Sequence, residues 1–170
     1  LAKLREEIRA RFPAVRTVST AELAGWIEQR TDVQPLLLDV RAPAEFAVSH
    51  LPGAIPAVSA ALARERLRAR TNAGPVVLYC SVGYRSADLA DQLQAEGFTN
   101  LFNLEGSIFQ WANEGRPLFR GSARVEVVRD DLSRLDRPGD HGSFAHARLQ
   151  SVLFAVVRAV GLEPTLPYGK

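Results

Sequence analysis

The chain has 170 residues, 46% hydrophobic and 24% charged, and its 21 Lys and Arg against 19 Asp and Glu leave a formal net charge of +2. That length buries one good core with an appendage, and charges this well interspersed supply no surface that calls for nucleic acid. One cysteine excludes an intramolecular disulfide framework, three histidines give no cluster at metal-ligand spacing, and no apolar stretch reaches the length of a membrane span.

The chain begins at Leu1 and contains no methionine, so the expectation is a trimmed native N-terminus and a cytoplasmic, reducing location. Leu4 to Phe12 reads as a helix stopped by Pro13, followed by a short extended segment from Val15 to Val18. Ser19 with Glu22 three residues on fits a capping box, and Leu23, Trp26 and Ile27 repeat behind it at helical spacing. Both tryptophans, Trp26 and Trp111, are expected in the core.

The period then changes. Leu36-Leu37-Leu38-Asp39-Val40 is a continuous apolar run after Pro35, as suits a strand covered on both faces. Pro43 to Ala47 predicts one or two helical turns, and Leu51 to Pro56 a turn entering a short strand. Ser59 to Arg70 is helical, with Arg64, Arg66, Arg68 and Arg70 on its solvated face. A strand ending at Cys80 starts at Val76, a helix runs from Ser86 to Glu96 with Gly97 as its C-terminal cap, and a last strand spans Asn100 to Leu104. Ser107 to Glu114 forms the final helix of this part. Such alternation predicts an α/β domain, with a mainly parallel sheet and helices on both faces.

Cys80 is placed for chemistry. It ends the run Val76 to Tyr79 and opens the loop Cys80-Ser81-Val82-Gly83-Tyr84-Arg85, with a helix beginning at Ser86. A strand turning sharply into a helix presents unpaired N–H groups and the positive end of the helix dipole, both of which lower a thiol pKa. A merely buried cysteine needs neither the following Gly83 nor Arg85 at the helix mouth. Parallel sheets bind ligands beyond the carboxyl ends of their strands. Asp39 and Cys80 both fall there, each closely followed by an arginine, Arg41 and Arg85. One pocket could thus gather a thiolate, two guanidinium groups and an orienting carboxylate around a small anion. The plainer reading of Asp39 and Arg41 is a structural salt bridge.

Several segments in order resemble a rhodanese domain: Leu38-Asp39-Val40-Arg41, Glu45-Phe46, His50-Leu51-Pro52-Gly53-Ala54, the Cys80 loop, and Gly97-Phe98 through Leu104-Glu105-Gly106-Ser107 with Trp111. The resemblance spans residues 17–118. It implies a three-layer α/β fold and a sulfurtransferase in which Cys80 takes sulfane sulfur from thiosulfate or a persulfide and hands it to a thiol or protein acceptor. In that scheme the amides from Ser81 to Ser86, made convergent by Gly83, cradle the sulfur, and Arg85 neutralises the donor. Val82 and Tyr84 line the rim, and Asp39 and Arg41 support the loop from the neighbouring strand end. No metal or organic cofactor is called for.

Two alternatives stand beside it. The dual-specificity phosphatases and arsenate reductases of the same fold carry a loop one residue longer than the four residues between Cys80 and Arg85, because phosphate needs more room. A non-catalytic binding module is the other, although Cys80, Gly83 and Arg85 are all retained. Ser49 departs from the family, which usually has Gly before His50, and His50 itself is expected to be structural.

Residues 1–16 form a helical N-terminal segment and 119–170 an extension beyond the family match. In the extension, Arg124 to Val128 predicts a strand, Asp136 to Gly142 a polar linker, and Ser143 to Val160 a helix apolar on more than one face. That helix is expected to pack on the domain or to form a dimer contact.

Overall fold

The computed structural model describes residues 2–29, 33–71 and 73–125. Its elements run α1 (Ala2–Arg11), β1 (Thr17–Val18), α2 (Thr20–Glu28), β2 (Leu36–Asp39), α3 (Pro43–Val48), β3 (Ile55–Pro56), α4 (Ala60–Ala69), β4 (Val76–Tyr79), α5 (Tyr84–Ala95), β5 (Leu101–Leu104), α6 (Ser107–Asn113), β6 (Leu118–Arg120) and β7 (Ala123–Val125). Strands β1 to β5 form one sheet in the order β1-β5-β4-β2-β3, with every pairing parallel.

Central β4 explains why its sequence is apolar without alternation. Val76, Val77, Leu78 and Tyr79 are all fully buried, because helices cover the sheet on both sides. Leu38, Val76, Leu78 and Cys80 share one face with Ile8 and Phe12 near α1, Ala63 and Leu67 of α4, and Ala87, Ala90 and Leu93 of α5. The alternate residues of β4 serve the other face. There α2 meets α6, Trp26 stacks edge-on against Phe102, and Trp111 donates its indole N–H to Pro117 O at 2.8 Å.

The caps are the ones the sequence spells out. Ser19 Oγ accepts the Glu22 N–H at 3.1 Å while Glu22 Oε2 accepts the Ser19 N–H at 2.9 Å, closing the predicted capping box. Helix α5 ends with Gly97 at φ 92° and with the Phe98 N–H on Leu93 O at 3.1 Å, a 6→1 bond that satisfies a terminal carbonyl. Arg64 of the arginine run holds Glu96 at the C-terminal end of α5 through two bonds, at 2.6 and 2.5 Å.

Two local expectations are corrected. Helix α5 starts at Tyr84, not Ser86, because Gly83 takes φ 108° as its N-cap and the chain enters the helix at once. Arg85 therefore lies in the first helical turn. Strand β6 has no counterpart among the expected elements; it pairs antiparallel with β7, which takes up the start of the strand expected from Arg124. Phe119 of β6 exchanges both backbone hydrogen bonds with His50, at 2.8 and 2.9 Å, so residues just past 118 are tied into the domain.

The described residues belong to one compact unit ending at Val125. Arg124 and Val125 lie in β7, while the rest of the strand expected to 128, the linker 136–142, the helix 143–160 and its dimer contact lie outside the described residues. Among the described residues no helix is long and apolar enough to cross a membrane.

Candidate active site

Cys80 follows the last residue of β4 and is 1% exposed. Its backbone is clamped by α6: the N–H donates to Ser107 Oγ at 3.0 Å and the carbonyl accepts the Ile108 N–H at 3.2 Å. One residue on, Ser81 O accepts the Phe109 N–H at 3.2 Å. The loop thus starts from a fixed direction, set by the first turn of a neighbouring helix. Ser107 adopts a left-handed φ of 53° to make this clamp, an uncommon conformation for a residue with a side chain.

Gly83 closes the loop on itself. Its N–H donates to Cys80 Sγ at 3.1 Å, and its carbonyl accepts Asn103 Nδ2 at 3.1 Å. The Val82 and Ser86 N–H groups reach the same sulfur. The Ser86 hydroxyl is also near, but its single proton is committed to Asn103 Oδ1 at 2.7 Å, so the backbone amides are the donors that serve the thiolate. Burial pushes the thiol pKa up, and the Ser86, Gly83 and Val82 donors outweigh it, so Cys80 ionises below the ordinary thiol range. Amides of the predicted cradle from Ser81 to Ser86 are thus aimed at Sγ itself.

Arg85 stands half-exposed at the mouth. Its Nη1 and Nη2 each lie 3.1 Å from a carboxylate oxygen of Glu45, and Nη2 also donates to Ser81 Oγ at 3.0 Å. Burial lowers the Arg85 pKa, but Glu45 and the Cys80 thiolate raise it further, so the group is charged throughout any working range. Glu45 is held in turn by the Ala42 N–H at 2.9 Å, at the start of α3. Half-burial raises its pKa, and Arg85, the Ala42 N–H and Arg41 bring it below the usual carboxylate range.

Arg41 does not share that mouth. It is 1% exposed and Asp39 is fully buried. Arg41 Nε and Nη2 grip the Asp39 carboxylate at 2.9 and 2.6 Å, and Nη2 donates to Ser49 O at 2.5 Å. The expectation of two guanidinium groups around one anion is corrected: the Arg41 guanidinium is buried on the inside of the α3–β3 loop, locked to Asp39 and Ser49 O, and forms the structural salt bridge that was its plainer reading. Ser49 sits at φ −163°, extended backbone open to any residue, so glycine is not needed there. His50 is buried, stacked on Phe46 at 4.3 Å, with Nδ1 3.0 Å from Leu51 O.

The remaining loop side chains divide. Tyr84 is 46% exposed yet packs its ring edge-on against Phe12 at 5.4 Å. Val82 faces a shallow, open cleft between α1 and the loop, which Arg5, Arg9 and Glu105 also line. Sequence reasoning missed Glu45 as the partner of Arg85, and Ser107 and Asn103 as the braces of the loop. The signals available were a polar Asn inside a buried strand and a serine directly after a glycine facing the strand end.

The family model described as Rhodanese-like domain matches residues 19–114, which include β2, β4, the Cys80 loop and α6. The chain belongs to the rhodanese-like domain family. A "Sulfurtransferase" of Allochromatium vinosum is 32% identical over 104 residues, covering 61% of this chain and 94% of that protein. The "Probable adenylyltransferase/sulfurtransferase MoeZ" of Mycobacterium tuberculosis is 33% identical over 103 residues, 59% of this chain, which spans only 26% of MoeZ. Among solved structures, a rhodanese-related protein from Thermoplasma volcanium superposes with a TM-score of 0.51 at 27% identity, covering 62% of this chain and 98% of that one. Sulfurtransferase is therefore the kind of enzyme this rhodanese domain is similar to. Helix α1, whose Ile8 side chain lies near Gly83, falls outside the family match.

Proposed function

We propose that this rhodanese domain takes a sulfane sulfur from thiosulfate or a persulfide onto Cys80 and passes it to a thiophilic acceptor, either a small thiol or a protein. The observation that supports this most is the aim of the Val82, Gly83 and Ser86 N–H groups at one sulfur. They hold it as a thiolate, the form that attacks. The thiolate forms a bond to the outer sulfur of the donor, the donor's bond to that sulfur breaks, and sulfite or a thiolate leaves with the electron pair. An acceptor then attacks the outer sulfur of the Cys80 persulfide, and the Cys80 thiolate returns. The scheme uses no cofactor.

A donor that carries its sulfur as a single terminal atom suits a nucleophile 1% exposed at the base of a loop with four residues between Cys80 and Arg85. A tetrahedral phosphate needs a wider ring of amides, which disfavours a phosphatase. Incubation with thiosulfate, or with a small persulfide, is expected to add one sulfur to the intact mass, and Cys80→Ser is expected to take up none. Absence of an adduct from every sulfane donor would favour a binding module. Aryl phosphate hydrolysis lost in Cys80→Ser would favour phosphoryl chemistry.

A further inference from the structure

The mouth of the site contains a charge that the sulfur-transfer scheme does not use. Glu45 engages both terminal nitrogens of Arg85, each at 3.1 Å, and its carboxylate is 16% exposed against 48% for the arginine side chain. It is not a wandering surface residue. The Ala42 N–H fixes Oε2 at 2.9 Å, and Ser81 Oγ donates to Oε1 at 3.3 Å while accepting Arg85 Nη2 at 3.0 Å. The guanidinium edge that would grip the sulfonate of thiosulfate side by side is already gripping a carboxylate.

Charge counting points the same way. Arg85 and Glu45 cancel, and Arg41 behind them is cancelled by Asp39 at 2.6 Å. Of the charged groups at the mouth the thiolate of Cys80 is the one left uncompensated, while Arg5 and Arg9 share the single carboxylate of Glu105 across the cleft beside Val82. A dianion such as thiosulfate is repelled by the thiolate and finds the paired Nη1 and Nη2 edge of Arg85 already taken by Glu45. A persulfide on an uncharged thiol carries at most one charge and asks nothing of the guanidinium fork.

We propose that Glu45 is a specificity-determining residue, holding Arg85 in an ion pair that biases the site against dianionic donors and toward persulfides of uncharged thiols. The inference rests on the sulfurtransferase reading and names the donor class within it. In the favoured step the Cys80 thiolate bonds to the terminal sulfur of R–S–SH, the S–S bond of the donor breaks, and RS⁻ leaves with its electron pair. The persulfide proton stays on the transferred sulfur.

The test monitors persulfide formation on the full chain without acceptor, by quenched intact-mass measurement, with thiosulfate and with the persulfide of 2-mercaptoethanol as donors. Glu45→Gln is expected to lower the rate ratio of persulfide to thiosulfate by roughly three- to tenfold, the scale of one charge at a partly exposed site. Glu45→Asp, which keeps the charge, is expected to hold the wild-type ratio. In the wild type, potassium chloride is expected to speed the thiosulfate reaction, since salt screens repulsion between like charges. That arm needs no variant to fold. An unchanged ratio in Glu45→Gln, or a wild-type thiosulfate rate that falls with salt, overturns the proposal while sulfur transfer stands. A wild type that takes sulfur from neither donor overturns both.

Discussion

Two arginines lie just beyond the ends of neighbouring strands in this molecule, and their fates are opposite. Arg41, beyond β2, is 1% exposed and locked to a buried Asp39 and to Ser49 O. Arg85, beyond β4, keeps a 48% exposed side chain and pairs with Glu45 at the mouth. The course of the chain beyond each strand makes the difference. After β2 the chain folds over its own arginine, and Ser49 to Leu51 turn back against Tyr79, whose hydroxyl accepts the Leu51 N–H at 3.2 Å. After β4, Gly83 sends the chain straight into α5, and the arginine is left on the first turn, facing solvent. The same residue type is a rivet in one place and a working charge in the other.

Removing each arginine is the strongest way to break this contrast. Arg41→Ala leaves the Asp39 carboxylate buried and unpaired, a change expected to cost about 3–5 kcal/mol. Arg85→Ala disrupts a pair with a half-exposed member, expected to cost about 1 kcal/mol or less, while slowing sulfur uptake. Denaturant or thermal unfolding of the two variants side by side checks both. If Arg41→Ala unfolds no more easily than Arg85→Ala, the rivet reading of Arg41 is wrong.

A smaller effect separates the brace from the nucleophile. Ser107→Ala removes the acceptor of the Cys80 N–H, a bond of 3.0 Å in a fully buried setting, and leaves that donor unsatisfied. The expected cost is about 1–3 kcal/mol. Because Ser107 acts on the backbone of Cys80 and not on Sγ, the thiolate should titrate nearly as in the wild type. Unfolding measured together with thiol titration tests this, and a large titration shift with unchanged stability would count against it.

Much of this arrangement was legible in the chain because its cause is local. The apolar run at Val76 to Tyr79 announces a strand covered on both faces, and Ser19 with Glu22 announces a helix start, since each depends on neighbours in sequence. The Cys80 loop with Gly83 and Arg85 was legible for the same reason. The features that escaped depend on the tertiary fold. Glu45 meets Arg85 only because parallel pairing sets the end of β2 beside the end of β4. Ser107 reaches Cys80 only because α6 returns across the strand ends. Of the two readings of Arg41 the plainer one, a salt bridge with Asp39, holds, and its place at the anion fails because a charged residue after a strand ordinarily faces water and nothing nearby in sequence reveals that Ser49 O will close over it.

The finest contrast lies in the thiol itself. Burial opposes the charged form of Cys80, and the amides of Ser86, Gly83 and Val82 favour it strongly enough that the pKa lies below the usual thiol value. A free thiol ionises near about 8.5, so thiolate absorbance, taken as a difference against Cys80→Ser, is expected to rise at lower pH than that. The sign carries into stability. A group whose folded pKa is depressed stabilises the fold above its unfolded pKa, and that contribution is lost as pH falls through the folded value. Raising pH through the window between the two is therefore expected to stabilise wild type relative to Cys80→Ser. Arg85 contributes through its charge beside the sulfur, so Arg85→Ala should move the titration upward, toward the free thiol. Glu45→Gln should move it slightly downward, since a neutral partner leaves the guanidinium charge uncompensated beside the sulfur. Opposite shifts from two residues that hold each other at 3.1 Å would show that the mouth acts on Cys80 through charge, whereas parallel shifts would show that disturbing the loop is what matters.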